Sequence, residues 1–167
     1  MSPESIRAGV ITVSDKGSAG LREDLSGREV ARLLAGSSMN VICRDIVPDE
    51  KEIIRRKLVE YADEKELDLV VTTGGTGVGP RDVTPDATIE VIDRSVPGIG
   101  EAMRMKGLEI TPHSLISRAT AGIRGKTLIV NLPGSPKAAG EGLSVILPAL
   151  PHMILKIKGD PSECAVP

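Results

Sequence analysis

The sequence predicts an α/β fold: a three-layer sandwich in which helices flank a mostly parallel sheet that carries an antiparallel hairpin. Apolar runs of strand length alternate along the 167 residues with segments of helical periodicity. The run at residues 7–14 is almost continuously apolar, which is typical of a parallel strand covered on both faces. Residues 119–123 and 127–132, separated by a short turn, resemble a hairpin. This length favours one domain, which we expect to span residues 1–167.

In the first half of the chain, apolar periodicity predicts three strands and two helices. Arg44 and Asp45, within the second strand, indicate a position near an edge of the sheet. Asp49 and Glu52 have the spacing of a capping box, which favours a helix start close to them. The predicted order is a strand at 7–14, a loop at 15–27, a helix ending near residue 35, a strand at 40–47, a helix with an apolar stripe over 53–62, and a strand at 67–72.

The second half is predicted to hold the remaining helices and the hairpin. Thr84 and Pro85 are the residue types of an N-cap and a first helical position. Gly107 is suited to end a helix, and Thr111-Pro112 is suited to begin one. The predicted order is a helix at 85–94, a helix at 98–106, a short helix at 112–117, the two hairpin strands, and a last helical region that starts at 136, re-initiates at 148 and stops at 159.

A glycine-rich loop at residues 72–86 is the most informative segment. It follows the third predicted strand and places four glycines within residues 74–79. Glycines let the backbone approach a ligand, successive bare N–H groups form a concave anion site, and the helix start beyond the loop favours negative charge. Pro80-Arg81 stands where a Walker A motif requires Lys-Ser/Thr, and the glycine spacing also fails the dinucleotide pattern. The loop predicts a bound phosphate or other oxyanion, and a flexible turn without a ligand is the alternative.

Several loops leave the carboxyl ends of predicted strands. Parallel strands end at the same edge of a sheet, and ligands collect outside that edge. We therefore expect segments that are distant in the chain to line one cleft. These segments are Ser14-Asp15, Pro48-Asp49, the glycine-rich loop and Pro133-Gly134-Ser135.

Composition argues against several partners. The net charge is −2, from 21 basic and 23 acidic residues, so there is no electrostatic case for nucleic acid or an anionic membrane. Tyr61 is the only Tyr, and Phe and Trp are absent, which removes base stacking on aromatic side chains. Prolines interrupt the apolar segment 143–155, which is also too short to span a bilayer.

The same features favour a reduced, cytoplasmic protein. Residues 1–5 lack the charged and then apolar pattern of a leader. Cys43 and Cys164 have neither metal-ligand nor redox spacing. We expect no nucleic acid and no membrane among the partners.

Residues 72–88, which run Thr-Thr-Gly-Gly-Thr-Gly and then, from residue 80, Pro-Arg-Asp-Val-Thr-Pro-Asp-Ala-Thr, resemble the signature of the MoaB/Mog family of molybdenum-cofactor biosynthesis proteins. This long signature is highly specific, whereas each shorter match means little alone. Shorter matches cover most of the chain in the expected order, at residues 13–15, 48–50, 97–101, 115–118, 122–125 and 131–136.

The resemblance implies a molybdopterin adenylyltransferase. Such an enzyme uses the terminal phosphate of molybdopterin to attack the α-phosphorus of Mg-ATP, giving adenylylated molybdopterin and pyrophosphate. A phosphate nucleophile is already anionic, so no general base is needed, and catalysis depends on positioning, Mg²⁺ and charge neutralisation. The resemblance also implies a homotrimer, or a hexamer built from two trimers, and handover of the product to a metal-insertion protein.

The resemblance also assigns candidate site residues. Asp49 and Asp82 are candidates for catalysis and for binding Mg²⁺, which prefers carboxylate, phosphate and water oxygens. The candidate substrate-binding and nucleotide-binding residues are Ser14, Asp15, Gly74, Gly75, Thr76, Gly77, Ser117, Gly134, Ser135 and Lys137.

Each of these residues also has a purely structural interpretation. Asp49 is suited to cap the helix that follows it, and Asp82 is suited to fix the loop through Arg81 or a turn N–H. The other candidates fit a strand-end turn (Ser14-Asp15), a helix end (Ser117), a helix start (Ser135) and a solvated charge (Lys137). At the level of the whole protein, the alternatives are a molybdopterin-binding or carrier protein without nucleotidyl transfer, and a scaffold domain related to the amino-terminal region of gephyrin.

Overall fold

The structure, a computed structural model, describes residues 5–162. Cys164 and the outermost residues of the predicted 1–167 domain lie outside this range. The strands are β1 (Arg7–Val13), β2 (Asn40–Val47), β3 (Leu69–Thr73), β4 (Arg94–Ser95), β5 (Ala121–Arg124) and β6 (Thr127–Leu132). The α-helices are α1 (Asp15–Ser18), α2 (Leu25–Gly36), α3 (Lys51–Val59), α4 (Thr84–Val91), α5 (Pro97–Leu108), α6 (Pro136–Ile146) and α7 (Leu150–Ile157). A π-helical turn (Glu60–Glu64) extends α3, and a 3₁₀-helix (Pro112–Ile116) follows α5.

The strands form one mixed sheet in the order β2-β1-β3-β6-β5-β4. β1 pairs in parallel with β2 and β3, and β3 pairs in parallel with β6. β5 runs antiparallel to both β6 and β4. The predicted parallel sheet with an antiparallel hairpin is therefore confirmed, as is the edge position of β2.

Helices cover both faces of this sheet. Successive residues of a strand point to opposite faces, so Val10 lies in one apolar core and Ile11 in the other. The first core is closed by α2, α5, α6 and α7, for example through Leu143, and the second by α3 and α4, for example through Ile54. The predicted three-layer sandwich is confirmed.

The helices α6 and α7 pack against the sheet, with Leu143 and Ile154 buried. Among the described residues, no single helix has the length and apolar composition needed to cross a bilayer. The pair α6 and α7 meets that test only when taken together, with a bend of 65° between them.

Two helix starts differ from the sequence predictions. Thr84 is the first residue of α4 and Val83 is its N-cap, so the prediction of Thr84 as N-cap is wrong. The Thr84 hydroxyl instead donates to the carbonyl of Gly74 at 2.9 Å. The N-cap of α3 is Glu50, without a side-chain hydrogen bond, so the interpretation of Asp49 as a helix cap is also wrong. In both cases the side chain that the local pattern predicts as a helix cap forms a tertiary hydrogen bond instead. Thr84 bonds to Gly74, and Asp49 bonds to Asp15.

Three short elements are not predicted as such by the sequence pattern. They are α1, the π-helical turn and β4, which contain four, five and two residues. The π-helical turn lies at the end of the helix predicted over residues 53–62, and β4 includes Arg94, which the pattern places in the helix at 85–94. Periodicity needs more residues than these to reveal itself, and such elements depend on the surrounding fold.

Candidate functional site

The carboxyl ends of four strands bring the predicted loops together. The Ser14 N–H donates to the carbonyl of Val47 at 2.8 Å, which ties the end of β1 to that of β2. The Thr73 hydroxyl donates to the carbonyl of Pro133 at 2.7 Å, which ties the end of β3 to the loop after β6. The prediction that distant segments meet at one sheet edge is confirmed.

The glycine-rich segment forms a loop at residues 74–83 between β3 and α4. The loop begins with two residues in the left-handed region: φ is +104° at Gly74 and +64° at Gly75. A Cβ on Gly74 would lie 2.2 Å from the carbonyl oxygen of Val13. Thr84, the first residue of α4, fixes the start of the loop. Its backbone N–H donates to the carbonyl of Gly75 at 3.0 Å, and its hydroxyl donates to the carbonyl of Gly74. The fold sets the path of this loop and leaves no space for side chains at its start.

The middle of the loop presents free hydrogen-bond donors. Among the residues that the structure describes, the N–H groups of residues 75–78 donate to no acceptor. The positive end of the α4 dipole lies at the end of the same loop. Backbone N–H groups at a strand-loop-helix junction are the donors that a phosphate requires.

Asp15 and Asp49 hold each other through reciprocal hydrogen bonds. The Asp15 N–H donates to Asp49 Oδ2 at 2.8 Å, and the Asp49 N–H donates to Asp15 Oδ1 at 3.0 Å. Arg81, from the glycine-rich loop, donates to both carboxylate oxygens of Asp15 at 2.8 and 2.9 Å, and to Glu50 at 2.9 Å. The loop is thereby tied to the ends of β1 and β2.

The two aspartates differ in their ionisation. The hydrogen bond from Arg81, helped by the one from the Asp49 N–H, lowers the pKa of Asp15. Burial raises the pKa of Asp49, and the neighbouring charges of Asp15 and Asp82 raise it further, against the opposing effect of the Asp15 N–H and Arg81. Asp49 is therefore the carboxylate of this pair whose negative charge is less well compensated.

Asp82, near the end of the glycine-rich loop, turns its carboxylate back against the glycines of the same loop. Its Oδ2 accepts from the Gly79 N–H at 2.8 Å. The expectation that Asp82 fixes the loop by binding a turn N–H is therefore confirmed for this oxygen. A Cβ on Gly77 would lie 2.8 Å from Asp82 Oδ2, and a Cβ on Gly75 would lie 3.1 Å from Asp49 Oδ1. The two carboxylates thus border the same loop, at positions two residues apart.

The carboxylates of Asp49 and Asp82 are the groups of this site that could hold a magnesium ion. Within the described part of the chain, the Oδ1 atom of each accepts no hydrogen bond. Among residues 5–162, no group of three or more His, Cys, Asp or Glu side chains is arranged to hold a metal. Mg²⁺ commonly takes one or two carboxylates and completes its shell with water and substrate phosphates, and it would offset the charge that surrounds Asp49.

A cavity of about 380 Å³ adjoins the loop at Thr76 and Gly77. Ser117 and Ser135 line it, and α5 and α6 supply the opposite walls. None of the lining residues is Phe, Trp or Tyr. A guest would therefore contact aliphatic groups, backbone and the side chains of Arg104 and His113, with the two serines beside it.

The remaining predicted residues take mainly structural positions. The hydroxyl of Ser14 caps α1 at 3.0 Å and that of Ser135 caps α6 at 3.1 Å, as helix-start residues do. Gly134 packs on the loop, because a Cβ there would lie 3.2 Å from the Cα of Gly74. Lys137 lies apart: its side chain is 79% exposed, approaches Glu141 at 3.9 Å and borders a separate groove.

The sequence matches a family model over residues 9–152, described as a probable molybdopterin binding domain. This span contains the glycine-rich loop and both of the carboxylates that border it. The chain belongs to this family.

The chain is also similar to individual proteins whose names refer to molybdopterin or to the tungsten cofactor. The chain is 44% identical over 159 residues to a molybdopterin adenylyltransferase of Helicobacter pylori, covering 94% of this chain and 90% of that protein. The crystal structure of the molybdopterin biosynthesis enzyme MoaB from Thermus thermophilus is 49% identical, with a TM-score of 0.88 over 95% of this chain and 99% of that one. The tungsten cofactor synthesizing protein MoaB from Pyrococcus furiosus is 37% identical, with a TM-score of 0.85 over 94% of this chain and 99% of that one.

Two features of this molybdopterin-binding domain are not predicted by the sequence. The first is the cavity wall from α5, to which Met103 and Arg104 contribute. The second is Arg118, whose side chain contacts the glycine-rich loop. It stood in the sequence only as part of a short family match beside Ser117.

Proposed function

We propose that this protein is a molybdopterin adenylyltransferase that acts in molybdenum-cofactor biosynthesis. The observation that carries the proposal is the loop of free N–H groups bordered by two carboxylates, Asp49 and Asp82, each with an unengaged oxygen. A relative that is 44% identical over 94% of this chain bears the same name. We also propose that residues 1–167 act as one domain.

The proposed reaction is displacement at the α-phosphorus of ATP. An oxygen of the terminal phosphate of molybdopterin forms a new bond to this phosphorus. The bond between the α-phosphorus and the oxygen that bridges it to the β-phosphate breaks, and that oxygen leaves with pyrophosphate. No proton has to be removed from the nucleophile, because the phosphate is anionic at neutral pH. The N–H groups of residues 75–78 bind phosphate oxygens and stabilise the charge of the transition state.

Asp49 and Asp82 are the residues that would hold Mg²⁺ in this reaction. When bound, the ion would neutralise negative charge on the phosphates. The reciprocal hydrogen bonds between Asp15 and Asp49 fix one of these carboxylates before substrate arrives. The Gly79 N–H fixes the other.

The cavity beside Thr76 and Gly77 is proposed to accept the heterocycle of one of the two substrates. Thr76 and Gly77 of the loop line this cavity together with Ser117 and Ser135. A phosphate on a molecule bound there would therefore lie beside the free N–H groups of the loop. This arrangement would align the two phosphate groups over the loop, between the cavity and the carboxylates.

We further propose that the enzyme is a homotrimer and passes its product to a metal-insertion protein. An apolar surface on α5 and the 3₁₀-helix supports self-association: Met105 is 70% exposed and Leu115 is 68% exposed. Large exposed apolar patches commonly mark protein–protein interaction sites. Ile110 and Ile116 are also exposed on these elements or beside them.

Binding and product measurements together test the proposed activity. The purified protein is titrated by calorimetry with Mg-ATP and with molybdopterin, and pyrophosphate release is then followed with both present. We expect binding of both compounds and release of pyrophosphate only in the mixture. A protein that binds molybdopterin but does not bind Mg-ATP would instead be a carrier protein.

A further inference from the structure

Arg118 lies in the connection between the 3₁₀-helix and β5, beside the glycine-rich loop. Its backbone N–H donates to the carbonyl of Thr76 at 2.7 Å. Its neighbours Ser117 and Ala119 line the cavity, whereas Arg118 between them is not a lining residue. The side chain therefore meets the loop away from the space that a substrate would occupy.

The guanidinium of Arg118 reaches three separate points of the loop and of α4. Nε donates to the carbonyl of Gly77 at 2.9 Å, and Nη2 donates to the carbonyl of Asp82. Nη1 and Nη2 also form a bidentate pair with the carboxylate of Asp86, at 3.1 and 2.8 Å. One planar guanidinium thus joins the middle of the loop at Gly77, the end of the loop at Asp82 and the first turn of α4 at Asp86.

These contacts favour the anion-binding form of the loop. A carbonyl that accepts from Arg118 is held toward the guanidinium and is kept from turning into a bound phosphate, which it would repel. The peptide groups of residues 75–78 then keep their N–H groups free. The contact at Asp82 also fixes the backbone that carries one of the two carboxylates beside the loop.

We propose that Arg118 is a positioning residue for the glycine-rich loop: it holds the carbonyls of Gly77 and Asp82 so that the neighbouring N–H groups and the Asp82 carboxylate meet substrate phosphates. The inference rests on the proposed function for its kinetic readout. Arg118 does not line the cavity, so its proposed role is to hold the loop and not to bind substrate. A lysine can replace it only in part, because an ammonium lacks the fork of planar donors that spans these acceptors.

Arg124 provides a matched control at the other end of β5. Its guanidinium also pairs in bidentate fashion with a carboxylate, that of Asp63, at 2.9 and 2.6 Å. It also donates to a carbonyl, that of Val91, at 2.8 Å. Arg124 makes the same kinds of contact but none with the glycine-rich loop.

The test compares the wild type with Arg118→Met, Arg118→Lys and Arg124→Met. Steady-state kinetics gives kcat and KM for Mg-ATP, calorimetry gives the affinity for inorganic pyrophosphate, and hydrogen exchange reports on the amides of residues 75–83. For Arg118→Met we expect a loss of about 10- to 100-fold in kcat/KM, since small misplacements of a site have effects of this size. Pyrophosphate should bind more weakly by a similar factor, and the loop amides should exchange faster. Arg118→Lys should restore only part of each loss, and Arg124→Met should match the wild type in all three measurements.

The inference would be overturned if Arg118→Met matched the wild type in its kinetics, its pyrophosphate affinity and the exchange of its loop amides. Losses in Arg124→Met equal to those in Arg118→Met would also overturn it. Should Arg118→Met fail to fold, the same comparison is made with Arg118→Lys. A wild-type protein that makes no adenylylated molybdopterin would contradict the proposed function only, because pyrophosphate binding and hydrogen exchange still decide the role of Arg118.

Discussion

The carboxylate of Asp82 rests on the glycine-rich loop, with its Oδ2 only 2.8 Å from the point that a Cβ on Gly77 would occupy. This contact explains why a residue without a side chain is needed at position 77, where the backbone φ is not in the left-handed region. It also places an acidic group against the peptide groups that are proposed to bind phosphate. Substitutions on either side of this contact should therefore affect activity more than stability.

Asp82→Asn should slow adenylyl transfer by about 10²- to 10³-fold, as expected when one charge-stabilising group is lost from a preorganised site. The amide oxygen of Asn still accepts from the Gly79 N–H, so the loop and the thermal unfolding midpoint should change little. The measurement is kcat at saturating Mg-ATP and molybdopterin, with circular dichroism as a check on folding. A wild-type rate would remove Asp82 from the mechanism.

Gly77→Ala should reduce kcat/KM by about a hundredfold, because the new methyl group displaces the Asp82 carboxylate from the loop. Gly36→Ala is the matched control, since a Cβ at the exposed end of α2 has no heavy atom within 4 Å. We expect the control to retain wild-type kinetics. Equal activities of the two variants would show that the close approach of Asp82 and Gly77 has no functional role.

The pair Asp86–Arg118 should make a pH-dependent contribution to stability. The hydrogen bonds from Arg118 lower the pKa of Asp86 below its ordinary value of 3.8. A carboxylate whose pKa is lower in the folded state stabilises the protein above the unfolded-state pKa, and this stabilisation is lost as the pH falls through the folded-state pKa.

Asp86→Asn should therefore lower the free energy of unfolding at pH 7, by no more than about 1 kcal/mol for a pair this exposed to solvent. The difference from the wild type should shrink as the pH is lowered below 3.8, where the wild-type carboxyl also loses its charge. Urea unfolding from pH 7 to pH 3 measures this difference. A difference that stays constant or grows in acid would contradict the assignment.

Leu115→Glu should weaken self-association, because it places a charge on the exposed apolar surface of the 3₁₀-helix. In sedimentation velocity we expect a trimer for the wild type and a smaller species for the variant. Ile89→Glu, on the 59% exposed side chain of Ile89 in α4, is the control and should sediment as the wild type does. A trimer that persists in Leu115→Glu would place the interface elsewhere.

The sequence is most informative where a local pattern and the fold agree. β1 is apolar along almost its whole length because both of its faces are covered, and that pattern alone predicts its place in a parallel sheet. The parallel strands then require that the segments at Asp15, Asp49 and Gly74 meet. The segments that border the site follow from this topology, whereas the roles of Asp49 and Asp82 are expected only from the family resemblance.

Tertiary contacts decide what the sequence could not reveal. Thr84 has the pattern of an N-cap, but its hydroxyl is taken by the Gly74 carbonyl, ten residues earlier in the chain. Arg118 lies 41 residues from Gly77 and 36 from Asp82, so no local spacing indicates that it joins them. The cavity wall formed by α5 was missed for the same reason, since it depends on how that helix packs against α6.

Transfer of the α-phosphate tests the central claim most directly. The wild-type protein is incubated with Mg²⁺, molybdopterin and ATP that is radiolabelled at the α-phosphorus, and the products are separated. The account predicts that the label moves to molybdopterin as an adenylyl group, with one pyrophosphate released per transfer, and that Asp82→Asn strongly slows the transfer. Label that stays in ATP, or that appears only as free AMP, in folded protein that binds both substrates would contradict it.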